Sequence, residues 1–439
     1  MSYLLYFNLF LRYIFMHKIF IKALAWNSSS TFMYKIALLA HQILLYSIIS
    51  HTLYGLQSSL FAIIYIAIAL TNFGFEETLL PFFSIFLQSK NQFMQLWSHF
   101  IWHIVIVAAM ALCMYMIMMH GHGEFLHNMR MHCNKNIIFI IAIIFFVESI
   151  KKSLVAMMQL AFLNKQIAYA EISMLIAYIS MVWVTFTIQG QVTLYTIFIP
   201  MAITSTLELW YVLHHVLQFY RTLPNLENRS QIALKLIFQQ RIYNYINQII
   251  KTIYSPNSLT IFFAYLLGFQ QAATIKFFTN IITLCYTCIS KSIGITTGAT
   301  FSAMKHMPLP VIQDFFHDIT RRYFQFLYIL TFVLIVVLGY SYYSSIITKI
   351  MALHILLFFC ISYLESISIT YEQLFMSQHA SKLLAIINLS GFAILCAWGY
   401  IYHYCNMNSI VFMIIFMGIK ILLVKVMQFF AKNYWGVTS

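Results

Sequence analysis

The chain has 439 residues, a formal charge of +14, and a composition that is 62% hydrophobic and only 8% charged. A soluble domain carries roughly a quarter charged residues, so a water-soluble enzyme or binding module is excluded. The basic residues stand singly between apolar runs, which excludes a nucleic-acid surface and suits loop anchors beside a cytoplasm and anionic lipid.

With about 20 apolar residues per helical span, the length has room for about ten to fourteen helices. A membrane barrel shows alternation over segments of about ten residues, whereas Ile137–Val147 and Leu330–Leu338 are continuously apolar. The expected fold class is an all-α polytopic membrane protein of about 12 transmembrane helices, in two six-helix lobes around a central cavity. Residues 1–31 are predicted as an N-terminal extension. They are apolar but broken by Arg12, Lys18 and Lys22, and no small-residue cleavage site follows, so they read as interfacial rather than as a cleaved signal. Met16 opens an equally sensible shorter start.

The first lobe, 32–219, is predicted to contain spans 32–54, 58–87, 96–119, 136–163, 168–188 and 192–218. A cytoplasmic linker, 220–238, holds Arg221, Pro224, Glu227, Arg229 and Lys235. The second lobe, 239–432, follows with spans 239–266, 270–304, 318–341, 349–377, 381–403 and 408–431, then a tail at 433–439. With the N-terminus inside, the cytoplasmic loops receive most of the lysines and arginines, while the outer ones keep little beyond Arg130, Lys135 and Lys349. That bias places both termini in the cytoplasm, and the localisation expected is a cell (inner) membrane.

The two sets of six share motifs at nearly constant offset. Phe83-Ser84 and Phe301-Ser302 lie 218 apart; Val147-Glu148-Ser149-Ile150 and Leu364-Glu365-Ser366-Ile367 lie 217 apart. Gly55 and Gly268 differ by 213, and Trp183 and Trp398 by 215. Repeats of six spans share one orientation, as in a two-lobed transporter.

Charges inside membrane helices are costly and face a cavity or a partner. Glu148, Lys151 and Lys152 fall at i, i+3 and i+4 on the fourth span. They read either as cavity cations gripping an anionic head group, with Glu148 as a switchable partner, or as a local ion pair that makes the helix insertable. Span seven carries a polar stripe, Asn244, Asn247, Gln248, Lys251, Ser255 and Ser258, spaced by three or four residues. Pro256 is placed to kink it. Lys276 and Lys291 lie on span eight about 22 Å apart, with Lys291 the deeper candidate. Substrate binding is therefore assigned to Lys151, Lys152, Lys251, Lys291, Asn247 and Gln248, and ion coupling, to H+ or Na+, to Glu148 and Glu365.

His120, His122, Glu124, His127, His132 and Cys133 have metal-ligand composition but no standard ligand spacing, and read as a solvated outer loop. Cys285 and Cys288 have redox spacing inside a predicted span, where small buried side chains are the better reading. There is no P-loop, Gly-rich nucleotide fingerprint or metalloprotease helix motif. No cofactor, metal site or catalytic residue is expected, and the chain is read as a non-enzyme.

Two segments carry a resemblance to a known family. In 43–90, Tyr54-Gly55-Leu56-Gln57 leads through an apolar span to NFGFEETLLPFFS at 72–84; in 266–305 a comparable helix ends in Phe301-Ser302. The chain resembles the multidrug/oligosaccharidyl-lipid/polysaccharide (MOP) flippase superfamily, in its polysaccharide or O-antigen flippase branch. It departs from that pattern in the early Pro81, in the missing proline before Phe301, and in having few glycines. The resemblance implies a flippase that moves undecaprenyl-diphosphate-linked oligosaccharide from the cytoplasmic to the outer leaflet. Its partners are then a lipid-linked anionic glycan and membrane lipids, and it works as a monomer. Two rivals stand beside this reading. A multidrug or organic-cation exporter wants acidic residues without the lysines. A membrane polysaccharide polymerase or ligase uses outer-loop residues such as His120, His122 and Arg130.

Overall fold

The structure is a computed structural model. It describes residues 31–76, 89–122, 124–161, 163–225, 234–253, 309–343, 349–378, 380–404 and 409–435, together with 26, 29, 78 and scattered positions in 255–297. The described residues carry twelve uninterrupted helices and no strand. In chain order they are α1 (Thr31–Ile48), α2 (His51–Thr71), α3 (Lys90–His120), α4 (Glu124–His132), α5 (Lys135–Leu160), α6 (Asn164–Gln189), α7 (Leu194–Thr222), α8 (Leu234–Ile253), α9 (Leu309–Tyr343), α10 (Lys349–Ser377), α11 (Ser381–Tyr404) and α12 (Ser409–Trp435). Eight of these, among the described residues, are long and apolar enough to cross a membrane. The chain is an all-α, multi-pass membrane protein. Helix α5 is not among the eight, because Glu148, Lys151 and Lys152 interrupt its apolar run.

Polar caps set where the helices begin. Ser50 accepts from Leu53 N, Ser89 from Gln92 N, and Asn134 from Ile137 N, while Thr193 and Thr196 cap each other at the start of α7. Each cap satisfies a backbone donor that lipid cannot, at about 1 kcal/mol. The Ser50 cap also explains a boundary. The predicted first span, 32–54, ends at Ile48, and α2 starts three residues later.

A second correction concerns the predicted span 58–87. Helix α2 stops at Thr71, and Asn72, Phe73 and Gly74 make a turn in which Phe73 and Gly74 have φ of 51° and 66°. Most of 77–88 lies outside the described residues, as do Pro81, Phe83 and Ser84. So does nearly all of 270–304, with Cys285, Cys288, Lys291, Phe301 and Ser302.

The described residues fall into two compact units, 30–277 and 278–439. In the first, α5 packs on α7, α3 and α2, and α7 packs on α6. Helix α8, which overlaps the start of the predicted seventh span, packs on α2 within this same unit. The core of this unit gathers Leu60 and Ile64 of α2, Ile141 and Phe145 of α5, and Phe198 of α7, all buried. Within lipid such packing stabilises through close contact rather than through exclusion of water. Gly55 is one such contact: a Cβ there would stand 2.0 Å from the carbonyl oxygen of Phe269. In the second unit α10 packs on α12, and α12 on α11.

The segment 120–135, expected as a solvated outer loop, folds back on the core. Helix α4 occupies most of it, Arg130 Nη1 donates to Met119 O at 3.0 Å, and Met129 and Cys133 are buried. Among the described residues no group of three His, Cys, Asp or Glu side chains is arranged to hold a metal ion. Burial pushes the Cys133 thiol up to about 11, so near pH 8 only on the order of a thousandth is thiolate. Thiolate-selective alkylation of the folded protein at about that pH is expected to spare Cys133, and denaturation to expose it; mass spectrometry of the labelled peptide reads both states.

Candidate functional site

Helices α5 and α7 run alongside each other in the same direction and are joined at three levels. Near their starts, Tyr195 OH donates to Asn134 Oδ1 at 2.8 Å. Further along, Ser205 Oγ donates to Glu148 Oε1. One turn beyond, Lys151 Nζ donates to Glu148 Oε1 at 2.7 Å and to Glu208 Oε2 at 2.8 Å. Pro200 leaves a gap in the α7 backbone ladder just before these residues, and Thr204 Oγ1 donates to the Pro200 carbonyl at 2.9 Å. The three charged side chains are only 10–16% exposed. Tyr34, Tyr65 and Glu171 stand within electrostatic reach of the triad. Two carboxylates share one ammonium, so the fully ionised triad carries a net charge of −1.

A second cluster surrounds the turn that ends α2. Asn72 Oδ1 accepts from Glu76 N at 3.3 Å, and Glu76 Oε1 lies 3.4 Å from Lys152 Nζ, whose side chain is 42% exposed. Beside it, His103 is fully buried, stacks on Phe75 at 5.0 Å and shares a 2.9 Å hydrogen bond with Ser153. Helix α8 closes over the turn. Arg241 Nε donates to Phe73 O at 2.9 Å, its guanidinium lies 5.5 Å from the Phe75 ring centroid, and Tyr245 stacks on Phe73 at 4.2 Å. Asn244 Nδ2 donates to Thr78 Oγ1 at 3.2 Å. Arg241 Nη2 is buried and has no hydrogen-bond partner among the described residues. Arg241 and Lys152 both act electrostatically on His103, so two cations gather at this turn.

The unit 278–439 has its own ionic lock. Lys420 Nζ of α12 donates to Glu365 Oε2 of α10, so the helix carrying the repeated acidic motif again bonds a partner near the end of its six-span set. Here one acid meets one base and the pair is neutral. Ser366 O accepts from the buried Tyr323 OH at 2.9 Å.

Of the predicted residues, Glu148, Lys151 and Lys152 lie together on α5, but they serve two clusters rather than one cationic wall. Lys151 is enclosed by Glu148 and Glu208; Lys152 turns to Glu76. Asn247 is buried on α8, with Gln248 and Lys251 half-buried on the same helix. Lys291 is outside the described residues. Glu365, which has Ser368 and Ile369 where Glu148 has Lys151 and Lys152 on its own helix, is paired by Lys420. Sequence reasoning missed Glu208, Ser205, Glu76, Arg241, His103 and Lys420. For Glu208 and Lys420 a signal existed, since each is a charge inside a predicted span.

No protein-family model and no curated protein matches the sequence. Solved structures do match. A MOP superfamily transporter from Pyrococcus furiosus, described by a reverse polarity of its binding pocket that suggests a different function, aligns over 94% of this chain and 96% of its own, at 10% identity and a TM-score of 0.69. An outward-facing multidrug resistance MATE family transporter of the MOP superfamily aligns over the same shares, at 9% identity and 0.66. The eukaryotic MATE transporter AtDTX14 covers 93% of this chain and 95% of its own, at 12% identity and 0.61. Likeness at such low identity establishes the fold: the chain has the fold of MOP superfamily transporters.

Proposed function

We propose that the protein is a membrane transporter that moves an undecaprenyl-diphosphate-linked oligosaccharide from the cytoplasmic to the outer leaflet by alternating access. The observation that carries this reading is the cation pair at the α2 turn. Arg241 keeps a buried guanidinium nitrogen without a hydrogen-bond partner among the described residues, and the neighbouring Lys152 ammonium is nearly half exposed. A diphosphate supplies acceptor oxygens for the Arg241 nitrogen and negative charge beside the Lys152 ammonium, and the polyprenyl tail stays in lipid. Lys251, Asn247 and Gln248 on α8 are the candidates to extend the polar surface toward the sugar, and Lys291 stays a candidate from the sequence alone. The transporter fold supports this reading as far as transport without covalent chemistry. The inner membrane, cytoplasmic termini and monomeric action belong to the same proposal.

One observation favours a second reading, a multidrug or organic-cation exporter. The α5–α7 triad holds more carboxylate than ammonium, which suits a cationic cargo.

The test is Arg241→Gln combined with Lys152→Gln in cells whose surface glycan depends on this protein. A hydrogen bond to a charged group contributes about 1.5–3 kcal/mol, so outward appearance of lipid-linked sugar is expected to fall by at least about tenfold at unchanged protein level. Flipping that proceeds at the unmodified rate contradicts the diphosphate reading, and accelerated export of an organic cation turns the assignment to the second.

A further inference from the structure

We propose that Glu148, Lys151 and Glu208 form a one-proton binding site, with the exchangeable proton seated on Glu208. The site itself stands on its own geometry; only its use in driving cargo rests on the transporter reading above. The three side chains are 10–16% exposed and are held between α5 and α7, where an unbalanced charge costs several kcal/mol. Lys151 balances one carboxylate only. Lys152, the next cation on the same helix, is engaged by Glu76. Among the described residues, Glu171 from α6, Tyr34 from α1 and Tyr65 from α2 also reach the triad. None of these is a cation. A single proton brings the triad to neutrality.

Hydrogen bonding decides which carboxylate takes it. Glu148 Oε1 accepts from both Lys151 Nζ and Ser205 Oγ. Glu208 Oε2 accepts from Lys151 alone among the described residues, so Glu208 is the carboxylate with fewer donors and the one that takes the proton. The proton is carried as a carboxylic O–H, and loading changes the charge between the two helices from −1 to zero. In the other unit Glu365 is met by the ammonium of Lys420, one carboxylate to one cation rather than two.

The experiment is pH-difference infrared spectroscopy on the full-length protein reconstituted in lipid, reading the carboxylic C=O stretch. Wild type is expected to show a titrating carboxylic band, which Glu365→Gln leaves intact. Glu208→Gln is expected to abolish it, because the remaining Glu148–Lys151 pair is already neutral. Glu208→Asp keeps the charge balance, guards against a misfolded glutamine variant, and is expected to shift the band to an aspartic-acid position, while Glu148→Asp leaves it in place. A band that survives Glu208→Gln unchanged, moves with Glu148→Asp instead, or is absent from wild type overturns the assignment. Loss of cargo flipping with the band intact counts against the cargo reading and not against this site.

Discussion

Replacing Gly74 by valine is expected to undock α8 from the end of α2 and to unfold the unit 30–277. Gly74 sits at φ +66°, and a Cβ there would stand 2.5 Å from the carbonyl oxygen of Arg241 and 2.8 Å from the amide nitrogen of Tyr245. Both obstacles are backbone, so no side chain can swing aside. A β-branched residue adds the left-handed strain, on the order of 1–3 kcal/mol. The stack of Phe73 on Tyr245 and the Arg241 bond to Phe73 O go with the docking. Together these reach several kcal/mol, a large share of the roughly 5–15 kcal/mol that holds a domain folded. Thermal unfolding of detergent-purified protein reads the effect. Gly339→Ala is the matched control: nothing lies within 4 Å of its added Cβ, and a helical Gly-to-Ala change is neutral to mildly stabilising, by about 0.5–1 kcal/mol. Equal melting of Gly74→Val and wild type would show that the close approach is wrong.

Lys151→Met carries the second large effect. It leaves Glu148 and Glu208 facing each other across the α5–α7 contact with no cation between them. Removing one partner of a buried ionic group costs about 3–5 kcal/mol, because the remaining charge is stranded. The prediction is a marked loss of thermal stability, partly recovered on acidification, which supplies protons in place of the missing ammonium. Adding Glu148→Leu and Glu208→Leu to the same chain should restore most of the loss, since apolar groups of similar volume pack there without a charge to neutralise. If the single variant melts like wild type, the triad is solvated and adds little to the fold.

The membrane-spanning helices were legible because apolar runs of the required length leave few alternatives. The caps were legible in principle too: Ser50, Ser89, Asn134 and Thr193 each precede an apolar run and each begins a helix. The break after Thr71 was harder. Asn72-Phe73-Gly74 interrupts a sequence that is apolar on both sides, and only the pairing of asparagine with glycine hints at left-handed backbone. The site was half legible. Spacing along one helix reveals Glu148 beside Lys151, but it cannot reveal Glu208, which is 57 positions away and meets Lys151 only when α7 lies against α5. The same blindness made Glu365 look unpaired until Lys420 arrived from α12. Arg241 carried only the general signal of a charge inside the predicted span 239–266, because its role follows from the turn it covers rather than from its neighbours in sequence.

Outward transfer of a diphosphate-linked glycan is measured by reconstitution. Purified full-length protein in liposomes is supplied on one face with a fluorescent polyprenyl-diphosphate oligosaccharide, and its arrival on the other is read by an impermeant quencher. The expected result is protein-dependent transfer that inorganic diphosphate slows and that the Arg241→Gln, Lys152→Gln double variant loses. Liposomes that leave the glycan in place while exporting an organic cation would overturn the flippase reading.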